Sequence, residues 1–179
     1  MRPTERIKEA QRVLEAEARA IFASSKKISL NFSKCIDLII DCKGTVVISG
    51  IGKSGNIGKK ITSTLASLGT PSIFLHTSDA FHGDLGILRR DDLLICISNS
   101  GETDELVRLL NYAKRNDIKS IAITGNVNST ISKEASISLD SSVESEACPL
   151  NLAPTCSTSV TMALGDALAS ICAMERGFK

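Results

Sequence analysis

The stretch Leu93-Leu94-Ile95-Cys96-Ile97-Ser98-Asn99-Ser100-Gly101-Glu102-Thr103 decides the fold. Its first five residues are apolar without alternation. A strand of that kind is buried on both faces, the habit of a parallel sheet covered by helices. It runs into a turn rich in hydroxyls, and a helix-like segment begins near Asp104. Backbone N–H groups in the first turn of a helix lack intrahelical acceptors, and the helix dipole favours an anion there. Ser98, Ser100 and Thr103 add hydroxyl donors, and Gly101 lets the backbone approach closely. Serine and threonine are also ordinary helix caps. Three hydroxyls in one short turn after a buried strand go beyond capping and point to a cradle for phosphate.

On either side of this stretch, short apolar runs alternate with helical ones. Strands are expected at 45–49, 72–76, 93–98, 120–124 and, more weakly, 136–140. Helices are expected near 55–68, 102–116 and 128–135, with a long one near 154–174. Ahead of them lie a charged helix over 3–24, with Ile7, Ala10, Leu14, Ala18 and Ile21 at helical spacing, and a second helix over 29–42. The fold expected is α/β: a three-layer α/β/α sandwich over 44–179 with a central five-stranded parallel sheet, preceded by an N-terminal helical pair over 1–43. Repeats, low-complexity tracts and internal linkers are absent from the sequence, so a single domain is expected. Open parallel sheets bind ligands at the carboxyl ends of their strands. The unusual residues cluster at those ends, in 50–55, 76–84, 98–103, 124–130 and 142–154, which predicts one composite site.

Composition narrows the partners. The 179 residues carry 21 Lys and Arg against 20 Asp and Glu, a net charge of +1, which supplies no basic field for nucleic acid or an anionic membrane. There is no Trp and one Tyr, so stacking on bases is poorly served. The longest apolar runs read as too short for a membrane span and the N-terminus is no secretory signal, so a cytoplasmic location is expected. The 6 cysteines form no CxxC pair and are expected as reduced thiols. Two histidines, His76 and His82, argue against a structural zinc site.

Gly50-Ile51-Gly52-Lys53-Ser54-Gly55 satisfies G-x-G-x-x-G after the first strand, but no acidic residue ends the second strand. A P-loop would need glycine where Val47 stands, so a nucleotide site is disfavoured. Close strand–helix packing explains the glycines and leaves Lys53 over. A lysine in such a turn is suited to hold an anion or polarise a carbonyl. His82, and less clearly His76, sits near a strand end where imidazole can shuttle protons. Glu105 lies in the first helical turn, where acids commonly serve the dipole. Glu146 precedes the rigid segment Cys148-Pro149-Leu150-Asn151-Leu152-Ala153-Pro154, which predicts a raised pKa and a role as base; Glu102 and Glu144 are nearby acids without such a setting. Cys148 has no adjacent histidine to activate it and reads as a packed thiol. Thr155-Cys156-Ser157-Thr158-Ser159 opens the last helix, whose apolar circumference suggests burial in a subunit interface.

Taken together the motifs resemble the sugar isomerase (SIS) domain, and within it the arabinose 5-phosphate isomerases. The segments that carry the resemblance are Gly-Ile-Gly-Lys-Ser-Gly at 50–55, Leu68-Gly69-Thr70-Pro71, His82-Gly83-Asp84-Leu85-Gly86, Ser98–Thr103, Ile123-Thr124-Gly125 and Glu146-Ala147-Cys148-Pro149. Leu152-Ala153-Pro154-Thr155, Gly165-Asp166-Ala167-Leu168 and Arg176-Gly177-Phe178 continue it in order through nearly the whole chain. The resemblance implies interconversion of D-ribulose 5-phosphate and D-arabinose 5-phosphate through an enediol, feeding synthesis of Kdo, a lipopolysaccharide sugar. No cofactor is required. It implies that Ser98, Ser100 and Thr103 hold the phosphate with Ser54 nearby, and that Lys53, Glu105 and Glu146 match catalytic positions. It implies substrate contacts at Gly69, Thr70, His76 and His82, a zinc-binding position at His76 where the metal inhibits, and a homotetramer with sites at subunit interfaces. The base is Glu146 or His82. Asn56 and Thr77-Ser78-Asp79 depart from the usual His and Pro-x-Glu. Relatives usually continue through a His-Pro-Gly segment that completes a neighbouring subunit's site, and many then carry paired cystathionine-beta-synthase (CBS) domains. Neither is in this sequence, so anchoring is expected here without that histidine. An isomerase of another sugar phosphate, or a regulatory module that binds a phosphosugar, is the alternative.

Overall fold

A computed structural model describes residues 1–178. Five strands, β1 (Val46–Gly50), β2 (Ser72–His76), β3 (Leu93–Ser98), β4 (Lys119–Thr124) and β5 (Ile137–Asp140), pair in parallel in the order β2-β1-β3-β4-β5. Seven α-helices accompany them: α1 (Pro3–Ser25), α2 (Leu30–Asp41), α3 (Gly52–Ser67), α4 (Thr77–Ala80), α5 (Asp104–Arg115), α6 (Thr130–Glu134) and α7 (Cys156–Glu175). A 3-10 turn covers Asp84–Ile87. The expected three-layer sandwich and helical pair are present. The long elements lie within three residues of their expected bounds, while α4 and the 3-10 turn were not foreseen.

Alternation along the strands explains the layers. Val46, Ile48, Leu93, Ile95, Ile97, Ile121 and Ile123 point to one face, in a core with α2, α3 and α7. Val47, Leu94, Cys96 and Ala122 point to the other, against Leu106, Leu109, Leu110 and Ala113 of α5 and Ile131 of α6. Side chains of successive strand residues point to opposite faces, so a strand apolar at every position serves two cores at once. Each large side chain so buried contributes roughly 1.5–3 kcal/mol. The α5 residues recur at i, i+3, i+4 and i+7, the spacing of one helical stripe.

The pairing register brings the carboxyl ends of the strands together. Gly50 lies opposite both His76 and Ile97, Ser98 opposite Thr124, and Thr124 opposite Asp140. The chain leaves β1 for α3 on one face and β3 for α5 on the other. The strand order therefore reverses between β1 and β3, and a crevice opens at such a switch point.

α7 packs along α3 and α1. A side chain at Gly165 would overlap Ile61, so glycine sets how closely α7 approaches α3. By length and composition alone α7 is apolar enough to cross a membrane. Its Val160, Leu164, Leu168, Ala169 and Cys172 are core residues here. α1 reverses a sequence impression. Val13, Ala16, Ala20 and Ser24 lie on its more buried side, whereas Ile7, Leu14 and Ile21 are exposed at 60%, 70% and 38%.

Candidate functional site

Two loops flank the switch-point crevice. After β1, Gly50 and Gly55 let strand end and helix start come within backbone contact, since a Cβ at Gly55 would stand 2.8 Å from Gly50 O. Gly52 takes the left-handed conformation, with φ +58°, that starts the turn. Lys53 follows on the first turn of α3 with its side chain exposed, and Ser54 is half-buried beside it.

After β3, Ser98, Ser100 and Thr103 converge. Ser98 Oγ lies 2.9 Å from Thr103 Oγ1 and 3.4 Å from Ser100 Oγ. The Gly101 N–H donates to Ser98 Oγ at 3.1 Å and the Glu102 N–H to Ser100 Oγ at 3.3 Å. Gly101 has φ +71°, the left-handed region that favours glycine. The loop opens α5, whose first turn carries Asp104 and the half-buried Glu105. Hydroxyls, loop N–H groups and a helix terminus thus meet in one short turn, a combination suited to an anion. The three hydroxyls are brought within hydrogen-bonding distance of one another through Ser98.

His76 ends β2, next to Gly50. Its Nδ1 accepts the Ser78 N–H at 3.3 Å and caps α4, leaving Nε2 free of that bond. His82 is exposed after α4, held by its backbone N–H to Asp79 O at 2.9 Å. Among the described residues no group of three His, Cys, Asp or Glu side chains is placed to hold a metal ion. Among the described residues His76 is therefore not grouped with two further side chains of that kind.

Glu146 lies in the loop from β5 to α7. Its Oε2 accepts from Thr155 N at 2.8 Å, Thr155 Oγ1 at 3.0 Å and Ser157 N at 3.2 Å. The carboxylate caps α7 in place of Thr155, which makes no side-chain cap bond there. Partial burial pushes its pKa up, but the Ser157 and Thr155 groups outweigh this and hold the carboxyl below the usual 4.5. That corrects the sequence reading, which expected a raised pKa. The sequence shows the rigid apolar segment but not that its end turns helix donors toward the acid. Arg12 Nη2 reaches the Ala147 carbonyl at 2.5 Å, and Ser159 Oγ donates to Glu17 Oε2 at 2.6 Å, so α1 braces this loop.

Gly69 and Thr70 are not brought to the cradle. They precede β2, and Gly69 O and Thr70 Oγ1 accept from Arg176 Nη1 at 3.3 and 3.2 Å. A strand of this length separates the two ends of the sheet by about 16 Å. A surface hollow of about 660 Å³ also lies away from the cradle; Lys43, Gly44, Arg89, Asp91 and Asp92 are among its lining residues.

Other residues near the site went unread. Glu102, passed over from sequence, accepts the Thr130 N–H through Oε1 at 2.9 Å and holds α6 against the loop. Its carboxyl is held below the ordinary range by that contact. Ser129 is buried behind Gly101; its only sequence signal is a place in the Asn-rich turn after β4. Cys148 is half-buried rather than packed away. Its Sγ accepts from Ala153 N at 3.0 Å and Leu152 N at 3.1 Å, which holds its pKa below the usual 9.0.

A family profile described as SIS domain matches residues 38–171. Arabinose 5-phosphate isomerase KdsD of Pseudomonas aeruginosa is 50% identical over 172 residues, which are 96% of this chain and 53% of that protein. The chain spans about half the length of the curated relatives it matches. An Escherichia coli CFT073 protein solved in complex with arabinose 5-phosphate superposes with a TM-score of 0.96 at 37% identity, over 100% of this chain and 95% of that one. A putative sugar-phosphate isomerase from Listeria monocytogenes gives 0.96 at 33% identity, over 100% and 94%.

Proposed function

The chain belongs to the SIS domain family, and from that premise we propose that it interconverts D-ribulose 5-phosphate and D-arabinose 5-phosphate. The observation that carries the proposal is the cluster of Ser98, Ser100 and Thr103 at the switch point, at the end of the strand beside the one whose loop bears Lys53. The identity to curated arabinose 5-phosphate isomerases supports this substrate pair.

In this reading the phosphate sits on the three hydroxyls and the first-turn N–H groups of α5, with Ser54 across the crevice. Anchoring the phosphate fixes where C1 and C2 lie, and such positioning removes much of the entropic barrier. A base takes the C1 proton of ribulose 5-phosphate, the electron pair forms the C1–C2 double bond, and O2 gains the charge. The Lys53 ammonium stabilises that enediolate oxygen. Return of a proton to C2, with transfer of the O1 proton to O2, gives the aldose with no net oxidation. Glu146 is the first candidate base, a half-buried carboxylate in the loop that leads into α7. Its hydrogen bonds all go to Oε2, which leaves Oε1 to receive the proton. His82 is the second candidate, and Glu105, on the first turn of α5, is a further catalytic candidate.

The protein acts in this proposal in the cytoplasm as a homotetramer, supplying Kdo synthesis. The exposed Ile7, Leu14 and Ile21 stripe on α1 supports self-association. Incubation with ribulose 5-phosphate in D2O, followed by NMR, tests the chemistry. Arabinose 5-phosphate deuterated at C2 is the expected product. Saturable binding without turnover, even with a His-Pro-Gly segment supplied, would leave a phosphosugar-binding module instead.

A further inference from the structure

The cradle is held from behind. Gly125 N–H donates to Asn99 O at 3.1 Å and Ile131 N–H to Gly101 O at 3.1 Å. Thr130 N–H donates to Glu102 Oε1 at 2.9 Å. The turn from β4 to α6 therefore grips the phosphate loop at Asn99, Gly101 and Glu102. Ser129 stands amid these contacts. It is 1% exposed, and its Oγ has no hydrogen-bond partner. It is aimed at the loop: a Cβ built on Gly101 would overlap Ser129 Oγ and Cβ and lie 2.8 Å from Thr124 Oγ1. Buried hydroxyls are nearly always paired, so one left unpaired directly behind a ligand loop calls for a role.

The loop supplies that role. Two N–H groups that a phosphate would recruit, those of Gly101 and Glu102, are engaged by Ser98 Oγ and Ser100 Oγ. Ser98 Oγ is itself engaged with Thr103 Oγ1. An incoming phosphate replaces these internal bonds, and the Ser100–Gly101 peptide, which none of the contacts from behind holds, is free to turn. Glycine at φ +71° permits that turn, and the Ser129 hydroxyl beside Gly101 is a buried polar group without a partner.

We infer that Ser129 is a positioning residue for the phosphate cradle. Its hydroxyl is unpaired in the free loop and pairs with the turned Gly101 backbone when phosphate is bound. The inference rests on the reading of Ser98–Thr103 as a phosphate site. Because the bond exists only in the loaded state, it strengthens binding without adding stability to the free protein.

The test compares wild type with Ser129→Ala in ligand-free thermal unfolding, in inorganic phosphate affinity, and in kcat and KM for ribulose 5-phosphate. One neutral hydrogen bond predicts phosphate binding and KM weaker by about fivefold. Ligand-free Tm is expected unchanged or higher, because an unpaired buried hydroxyl has been removed, and kcat unchanged within about twofold. Ser129→Cys, a weaker donor of similar size, is expected between the two. Unaltered phosphate affinity in Ser129→Ala overturns the inference, as does weakened affinity that appears only together with a lowered ligand-free Tm. A wild-type protein that binds neither inorganic phosphate nor ribulose 5-phosphate overturns the cradle itself, a result distinct from a cradle that binds and ignores Ser129.

Discussion

Replacing Gly101 by alanine tests the cradle at its tightest point. Two costs act together. The left-handed backbone at φ +71° costs an L-residue about 1–2 kcal/mol. The new methyl overlaps Ser129 Oγ and Cβ, and overpacking of that kind costs about 1–3 kcal/mol. The unfolded chain loses some freedom when glycine is removed, which returns up to about 1 kcal/mol. A net loss of about 1–4 kcal/mol is expected. At about 2–4 °C per kcal/mol for a chain of this size, the middle of that range lowers Tm by roughly 5–10 °C. The second substitution separates the two costs. Ser129→Gly removes the overlapping atoms but leaves the backbone strain and the Thr124 hydroxyl in place. In the double variant the two losses should therefore fall short of additivity by about 1–3 kcal/mol. Urea unfolding of wild type, both single variants and the double variant measures this coupling, and inorganic phosphate titration follows the cradle in parallel. Losses additive within about 0.5 kcal/mol would show that Gly101 and Ser129 do not press on one another, and the packing argument would fail.

Lys53→Ala should lower kcat by about 100-fold or more with phosphate affinity little changed, as for loss of a group that stabilises a developing oxyanion; steady-state kinetics with inorganic phosphate as competitor checks both. Glu146→Ala should cost about 1–2 kcal/mol in urea unfolding through loss of the α7 cap. Because the folded carboxyl titrates below its unfolded value of 4.5, its contribution is present in full above that pH and is lost as pH falls through the folded pKa. Wild type should therefore lose stability more steeply than Glu146→Gln on acidification below about pH 5, and parallel curves would remove the capping account. Leu14→Glu, at the middle of the exposed α1 stripe, should reduce the oligomer measured by light scattering while leaving circular dichroism unchanged.

The cores were legible because strand and helix periods differ. The run Leu93–Ile97 could only serve two layers, and Leu106, Leu109, Leu110 and Ala113 could only form a stripe. Period alone did not say which stripe turns inward. α1 carries apolar residues on two sides, and the set most regular in sequence, Ile7, Leu14 and Ile21, is the one left exposed. The more buried side uses small residues such as Ala16, Ala20 and Ser24, whose value lies in close approach to α7 rather than in hydrophobicity. α4 and the 3-10 turn were invisible for another reason. Four residues are too few for periodicity, and the cap of α4 is a histidine side chain rather than Ser, Thr, Asn or Asp.

Within the candidate site, placement was legible where the residues are contiguous in the chain and illegible where it depends on contacts across the fold. Ser98, Ser100 and Thr103 converge because a strand end and a helix start bracket them, and both were readable. Glu146 was assigned its neighbourhood correctly and its electrostatics wrongly. Apolar Leu150 and Leu152 suggested a carboxyl pushed up, yet both side chains point to solvent, at 76% and 78% exposure, and the groups facing Glu146 are helix donors. Gly69 and Thr70 are the converse case. Their match to substrate-contacting positions stands in the sequence, whereas the strand between them and His76 sets them at the far end of the sheet, bound to Arg176. Ser129 had no signal at all, because nothing in an isolated serine tells which glycine it will face. The cradle is thus two structures of different legibility: a front written in consecutive residues, and a back, from Gly125 to Ile131, that exists only once β3 and β4 are paired.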